Sequence, residues 1–287
     1  MENTPPLLAA TMERVQAALA EDLGRGDATT LALVPEAATG HALVVSRECG
    51  VVAGTRVAAA VFRQLDREVT IKIECADGQT VQPGQVVLAV RGKARALLSG
   101  ERVALNFLQH LSGIATETAR YVALAQPYGV AILDTRKTTP GLRSLEKYAV
   151  TCGGGQNHRL GLYDRIMIKD NHLAFWHHTA KRHLAAAIRV ARSRYPDLLV
   201  QVEVDRPEQL DELWSDPPDW VLLDNMTPEA VGECVARCRG RCQVEVSGGI
   251  TLANVAAYAA QQPTAISVGA LTHSVRSLDC GLDWQIT

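Results

Sequence analysis

The spacing of apolar positions changes character about halfway along the 287-residue chain. Residues 9–23 carry apolar side chains at helical intervals and stop at the Gly24-Arg25-Gly26-Asp27 turn, which predicts an amphipathic helix. Shorter runs follow. His41–Ser46, Val69–Glu74 and Gln85–Val90 predict strands, separated by turns such as Ala76-Asp77-Gly78 and Pro83-Gly84, with a helix over Arg56–Gln64. The stretch from Asp77 to Val90 reads as a hairpin turn with a return strand and carries no chemistry. Ser99 offers an N-cap for a helix through His110, and a second helix is expected from Gly113 to Ala125. This half predicts an antiparallel α+β domain.

After Tyr128 short β-rich runs alternate with helix-like segments, and each run stops at a polar or small residue. Ala131–Leu133 leads into Asp134-Thr135-Arg136-Lys137, and Ile166–Ile168 stops at Lys169. Leu199–Val202 stops at Glu203, Val221–Leu223 at Asp224, Val244–Val246 at Ser247, and Ile266–Val268 at Gly269. The last four stops recur about every 22 residues, close to the shortest spacing that holds a strand, a helix and two turns. Repeated βα units make a parallel sheet. With six of them and no G-x-G-x-x-G fingerprint after the first strand, a barrel is favoured over a doubly wound sheet. In such a barrel the C-terminal strand ends face the active site. Arg136, Lys137, Lys169, Glu203, Asp224, Ser247 and Gly269 therefore become candidate site residues.

Composition adds limits. Hydrophobic residues make up 47% and aromatics 5% of the chain, a small-aliphatic balance that suits buried parallel strands. The formal net charge of −2 supplies no global field for nucleic acid or membrane, so an anion site has to be a local concentration of base. Met1–Leu8 lacks a basic segment and a long apolar run, which reads as no signal peptide, and no stretch approaches a membrane span. Seven cysteines, an odd number, point to a reducing cytoplasm. Cys234, Cys238 and Cys242 recur every fourth residue without a C-x-x-C pair, so they read as helix-face thiols rather than a zinc site. His177, His178 and His183 sit in a polar connection and read as solvated.

Arg136, Lys137, His158, Arg159 and Lys169 taken singly are ordinary surface bases; three of them at strand ends of one barrel face form a cluster that calls for an anion. Paired guanidiniums match carboxylates bidentately, so the implied ligand is a small polycarboxylate. Glu203 and Asp224 end consecutive strands. They either balance that charge or hold ribose hydroxyls and Mg²⁺ while facing positive charge developing at a sugar carbon. Ser247-Gly248-Gly249-Ile250-Thr251 opens a helix with Thr251 as its cap, and with Gly269 one strand later it suits a phosphate. These parts point to glycosyl or phosphoribosyl transfer.

Leu133-Asp134-Thr135-Arg136-Lys137-Thr138-Thr139-Pro140-Gly141-Leu142-Arg143 resembles the signature of the quinolinate phosphoribosyltransferases. So do Gly153-Gly154-Gly155 with Asn157-His158-Arg159, Ile168-Lys169-Asp170-Asn171-His172, Glu101-Arg102-Val103-Ala104-Leu105-Asn106, and Glu21-Asp22 with Gly26-Asp27. Val202-Glu203-Val204-Asp205, Leu223-Asp224-Asn225 and Ser247-Gly248-Gly249-Ile250 fall in the same order, so the resemblance spans about residues 15–280. It implies an α/β protein with an N-terminal α+β domain (1–112), a C-terminal incomplete TIM-like α/β barrel (113–275) and a tail (276–287). It also implies a homodimer, or a higher multiple, with the active site at the subunit interface. Arg102 would reach quinolinate in the partner subunit; Arg136, Arg159 and Lys169 would hold the two carboxylates, with His158 beside the ring. Thr135 falls in the same substrate-binding segment. Lys137, Glu203, Asp224, Ser247, Gly248, Gly249 and Gly269 would hold phosphoribosyl pyrophosphate and its Mg²⁺, the metal bound by Glu203 and Asp224 partly through substrate. The reaction expected from this resemblance gives nicotinate mononucleotide, pyrophosphate and CO₂, with Lys137, Glu203 and Asp224 as the catalytic set. A phosphoribosyltransferase for nicotinate or another pyridine acid, a paralogue associated with molybdenum transport, and a non-catalytic anion-binding barrel are the competing readings.

Overall fold

The computed structural model describes residues 7–179 and 184–285. His183, the side chains of His177 and His178, and the residues before Leu7 lie outside the described set. In chain order the elements are α1 (Leu7–Leu23), α2 (Ala28–Leu33), β1 (Thr39–Ser46), β2 (Gly50–Val51), α3 (Thr55–Leu65), β3 (Thr70–Ile73), β4 (Thr80–Val81), β5 (Val86–Lys93) and α4 (Ala94–Ala125). Then come β6 (Ala131–Leu133), α5 (Arg143–Cys152), β7 (Ile166–Ile168), α6 (Asp170–Thr179), α7 (Leu184–Arg194), β8 (Val200–Val204), β9 (Trp220–Asp224) and α8 (Pro228–Cys238). The chain finishes with β10 (Gln243–Ser247), α9 (Val255–Ala259), β11 (Ala265–Ser267), α10 (Ala270–His273) and β12 (Cys280–Trp284). Among the described residues no helix is long and apolar enough to cross a membrane.

Packing divides the chain into two compact units that interleave along the sequence. The first takes the chain through Ala119, then Thr138–Gly154, and everything from Ala270 onward; the second takes Arg120–Lys137 and Gly155–Gly269. The sequence blocks at 1–112, 113–275 and 276–287 are contiguous, whereas these units are not.

The first unit is built on an antiparallel sheet in the order β12-β1-β5-β3. The C-terminal segment supplies its outer strand, with Ala42 opposite Trp284 and Ser46 opposite Cys280. The expected return strand is present, but β5 pairs with β3, while β4 pairs with β2 instead. The two helices expected over 99–125 are one, α4. Ser112 and Gly113, which suggest a break, serve packing. The Ser112 hydroxyl accepts from the Ala53 N–H at 3.0 Å and donates to its carbonyl at 3.1 Å. A Cβ on Gly113 would lie 2.3 Å from the Arg276 carbonyl oxygen.

The second unit holds six parallel strands in the order β6-β11-β10-β9-β8-β7. From β7 to β11 each strand lies beside its successor, and β6 returns to the far side of β11. That is barrel winding left open between β6 and β7, an incomplete TIM-like barrel. Gln156 lines part of the β6 edge, donating to the Ile132 carbonyl at 2.8 Å. Successive side chains alternate between the faces of a strand, and registered partners share a face. One face of this sheet is therefore aliphatic and buried: Ile132, Ile168, Val200, Val202, Val204, Val221, Leu223, Val244, Val246 and Ile266. Helices α7 and α8 pack on the strands of this sheet. The opposite face carries Gln201, Glu203, Asp224, Glu245, Ser247 and Ser267. A valine side chain at Gly113 should lower stability by about 1–3 kcal/mol or more through overpacking against Arg276. A fall in the urea midpoint of Gly113→Val at unchanged m-value is the expected reading.

Candidate active site

Register places the polar residues in two layers. The Ile168–Val202 pair makes Lys169 and Glu203 the next neighbours across β7 and β8, and the Lys169 ammonium and the Glu203 carboxylate form an ion pair there. Glu203 follows the β8 residues predicted as strand; β8 continues through it to Val204. Because Glu203 sits opposite Leu222, Asp224 lies two residues farther along β9 on the same face, and Ser247 is registered directly against Asp224. These four side chains form the rim at the C-terminal strand ends.

The loop after β10 depends on two glycines. Asn225 adopts a left-handed φ of 55°, and its N–H donates to the Ser247 carbonyl at 2.9 Å while its side-chain amide donates to Asp224 Oδ2 at 2.8 Å. Gly248 has φ +97°, and a Cβ there would fall 2.2 Å from Asn225 Oδ1. Both backbone angle and space exclude a side chain. Gly249 is also left-handed, at +63°, with open space where a Cβ would be. The helix expected to open at Thr251 starts later. Asn254 accepts from the Thr251 N–H at 2.7 Å and donates to the Gly249 carbonyl at 2.9 Å, so that turn precedes the short α9. Gly269 follows β11 and immediately precedes α10.

The basic residues gather around β6 and β7. Thr135 Oγ1 accepts from the Lys137 N–H at 3.0 Å, turning the chain just after β6 and leaving Lys137 exposed. The Arg159 guanidinium donates to the Arg165 carbonyl at 3.1 Å and contacts Met167 Sδ at 3.6 Å. Burial, and then the repulsion of Arg136, hold Arg159 below the usual guanidinium range, against the opposing pull of Asp164. Two guanidiniums within electrostatic reach of each other, one of them partly desolvated, make a place for a dianion. Arg102 lies on α4 in the other unit and is exposed.

Beneath the rim lies a layer in which the candidate His158 meets two residues, Gln201 and Glu245, that sequence patterns do not single out. His158 is buried; its Nδ1 accepts from the Arg159 N–H at 2.6 Å, which leaves the ring proton on Nε2, 3.0 Å from Glu245 Oε2. Gln201 donates to the same oxygen at 2.7 Å, and Asp134 accepts from the His158 N–H at 2.9 Å. Glu245 is 1% exposed. Burial pushes its carboxyl up, but His158, Gln201 and Ser267 together outweigh burial and leave it below the ordinary value. For Gln201 and Glu245 the only hint in the sequence is a polar residue inside the runs Val200-Gln201-Val202 and Val244-Glu245-Val246.

An open α/β barrel with anion-binding groups on the C-terminal rim is the arrangement of barrel enzymes that handle phosphorylated substrates. Comparison with known proteins gives the family. The model described as "Quinolinate phosphoribosyl transferase, C-terminal domain" matches residues 114–283, and its N-terminal counterpart matches 27–112. The chain is 44% identical over 282 residues to a nicotinate-nucleotide pyrophosphorylase [carboxylating] of Mycobacterium leprae, covering 96% of this chain and 97% of that one. A probable enzyme of the same name from Bacillus subtilis is 42% identical, covering 92% and 89%. The solved nicotinate-nucleotide pyrophosphorylase of Francisella tularensis superposes with a TM-score of 0.90 at 36% identity, covering 96% of each chain. The chain belongs to the quinolinate phosphoribosyltransferase family.

A depressed carboxyl contributes stability that is complete above its unfolded value, ordinarily 4.5, and is lost as pH falls through the folded value. Glu245→Gln should therefore flatten the acid side of a melting-temperature profile, and an unchanged acid slope would exclude the carboxylate as its source. Gly248→Ala should lower turnover by about tenfold or more by displacing Asn225 from Asp224, with far-ultraviolet circular dichroism unchanged.

Proposed function

We propose that the protein transfers the phosphoribosyl group of phosphoribosyl pyrophosphate to quinolinate with loss of CO₂, yielding nicotinate mononucleotide and pyrophosphate for de novo NAD synthesis. The observation that carries this reading is the Arg136–Arg159 pair, with Arg159 against Met167 on β7, two residues before Lys169, whose partner Glu203 shares a rim with Asp224 and Ser247. A substrate with two adjacent carboxylates answers the paired guanidiniums; a monocarboxylate leaves one of them unmatched. Thr135, Arg136, Arg159 and Lys169 hold quinolinate in this scheme. His158 holds the Arg159 backbone in place while both its ring nitrogens face protein groups. Lys137, Glu203, Asp224, Ser247, Gly248, Gly249 and Gly269 hold the phosphoribosyl donor.

Glu203 and Asp224 fit a magnesium ion that is shared with substrate. They offer carboxylates from neighbouring strands, and among the described residues no three His, Cys, Asp or Glu side chains converge as a protein cage. Magnesium is commonly held by one or two carboxylates together with substrate phosphates. When bound, it would neutralise the pyrophosphate oxygens.

The chain's own groups account for the rest. As the pyridine nitrogen attacks the ribose carbon and pyrophosphate leaves, Glu203 and Asp224 face the positive charge on the sugar. Substrate binding separates Lys169 from Glu203, so that Lys169 meets a carboxylate and Glu203 the ribose. The cationic ring nitrogen of the adduct stabilises the carbanion left at the adjacent ring carbon when its carboxylate departs as CO₂, and that carbon then takes a proton from water to give the mononucleotide. Positioning and electrostatics suffice for both steps. The working form is a homodimer or a multiple of one, with Arg102 reaching the partner's quinolinate, in a reducing cytoplasm that keeps all seven cysteines free.

With Mg²⁺ and phosphoribosyl pyrophosphate, quinolinate should give mononucleotide and CO₂ while nicotinate gives neither; turnover of nicotinate would overturn the substrate assignment. Arg159→Ala and Lys169→Ala should each lower kcat/KM by about 10²-fold or more. Mixing Arg102→Ala subunits with Arg159→Ala subunits should restore part of the activity, and no restoration would place Arg102 in its own subunit's site.

A further inference from the structure

The cysteine series 234, 238, 242 resolves into one core thiol and one pair. Cys234 is fully buried, with its sulfur 3.8 Å from Met226 Sδ. Cys238 ends α8, and the chain then reverses through exposed Arg239, left-handed Gly240 (φ +74°) and Arg241. The Arg241 and Cys242 N–H groups both donate to the Cys238 carbonyl, at 2.9 and 3.2 Å. This turn folds Cys242 back toward Cys238 and brings the two thiols within electrostatic reach of each other. Both line a cavity of about 150 Å³ with Arg239, Gln262 and Thr264, at the N-terminal end of β10 and so at the opposite strand ends from the rim.

The pair is polarised. The neighbouring Cys238 thiol lowers the Cys242 thiol, outweighing its burial, and Arg241 lowers it further. Arg241 is held near by stacking on Trp214, 4.6 Å from the ring centre. Cys238, which keeps the proton, is pushed up. A thiolate is the reactive form of cysteine, and a second thiol in contact is what resolves its oxidised product.

We propose that Cys238 and Cys242 are an oxidative modification site, in which Cys242 attacks a small hydroperoxide admitted by this cavity and Cys238 closes an intramolecular disulfide. In the first step the Cys242 thiolate forms a sulfur–oxygen bond, the peroxide O–O bond breaks, and hydroxide, or the alkoxide of an organic peroxide, leaves with the electron pair. In the second the Cys238 sulfur, having given up its proton, attacks the Cys242 sulfenic acid. The S–O bond breaks, the oxygen departs as water, and the S–S bond forms. The pair loses two electrons and the peroxide gains them. A thiol reductant reverses the change. The exposed, glycine-containing turn absorbs the approach of the two sulfurs to a bond of about 2.05 Å.

The test uses the full-length protein with stoichiometric hydrogen peroxide at neutral pH, quenched by alkylation and cleaved with trypsin, which cuts after Arg239 and Arg241 and so separates the two cysteines. Linked peptides containing Cys238 and Cys242 should accumulate at least about tenfold faster than exposed Cys49 is oxidised, and dithiothreitol should release them. Cys238→Ser should stop at a Cys242 sulfenic acid that dimedone traps, and Cys242→Ser should leave Cys238 reduced. Oxidation of Cys242 no faster than Cys49, or oxidation of Cys238 at the parent rate in the Cys242→Ser protein, would overturn the proposal.

Discussion

A carboxylate in the middle of a buried parallel strand has to be met by donors, because desolvating it without them would cost several kcal/mol. Glu245 on β10 is met by Gln201 from β8 and by His158 from the segment before β7. That demand organises the chemistry above it. His158 can donate to Glu245 because its other nitrogen takes the Arg159 N–H, and its own backbone N–H is taken by Asp134 at the end of β6. A chain segment with no regular structure is thus tied to β10 and to the end of β6. The guanidinium that it carries is held partly desolvated near Arg136.

The rim itself follows from register and strand polarity. In a parallel sheet with one aliphatic face, each polar residue in a strand is directed to the other face. Lys169 and Glu203 meet because their strands are paired in step. Asp224 and Ser247 are level with each other and two residues beyond Glu203. The result is a graded rim, with the ion pair nearer the sheet and the glycine loop beyond it. This grading suits a substrate whose carboxylates, ribose and phosphates are strung along one molecule.

Much of this was legible in the sequence, and the reasons differ by element. The parallel strands stood out because both constraints on them coincide: aliphatic runs needed for the buried face, ended by residues that chemistry needs at the rim. β6 and β7 were delimited to the residue for that reason. The α4 helix was read as two because Ser112 and Gly113 look alike whether they break a helix or let another chain segment approach it. Thr251 was read as a cap because the cap pattern does not distinguish it from Asn254, three residues on, whose longer side chain reaches both Thr251 and Gly249. Glu245 and Gln201 were missed because a polar residue between valines looks like half of an exposed strand; only the three-dimensional neighbours reveal it as buried.

The interleaving of the two units bears on how this architecture can be inherited. The helix α5 and the strand β12 belong by packing with the first unit, yet they are encoded within and after the barrel segment. A crossover near residue 113 between two relatives would give each product a sheet and a helix face whose counterparts come from the other parent. The strand beside β1 and the helix against α1 would both be foreign. Exchange of the whole coding sequence keeps these contacts matched, whereas exchange of either half does not, and the same rule limits chimeras assembled by hand.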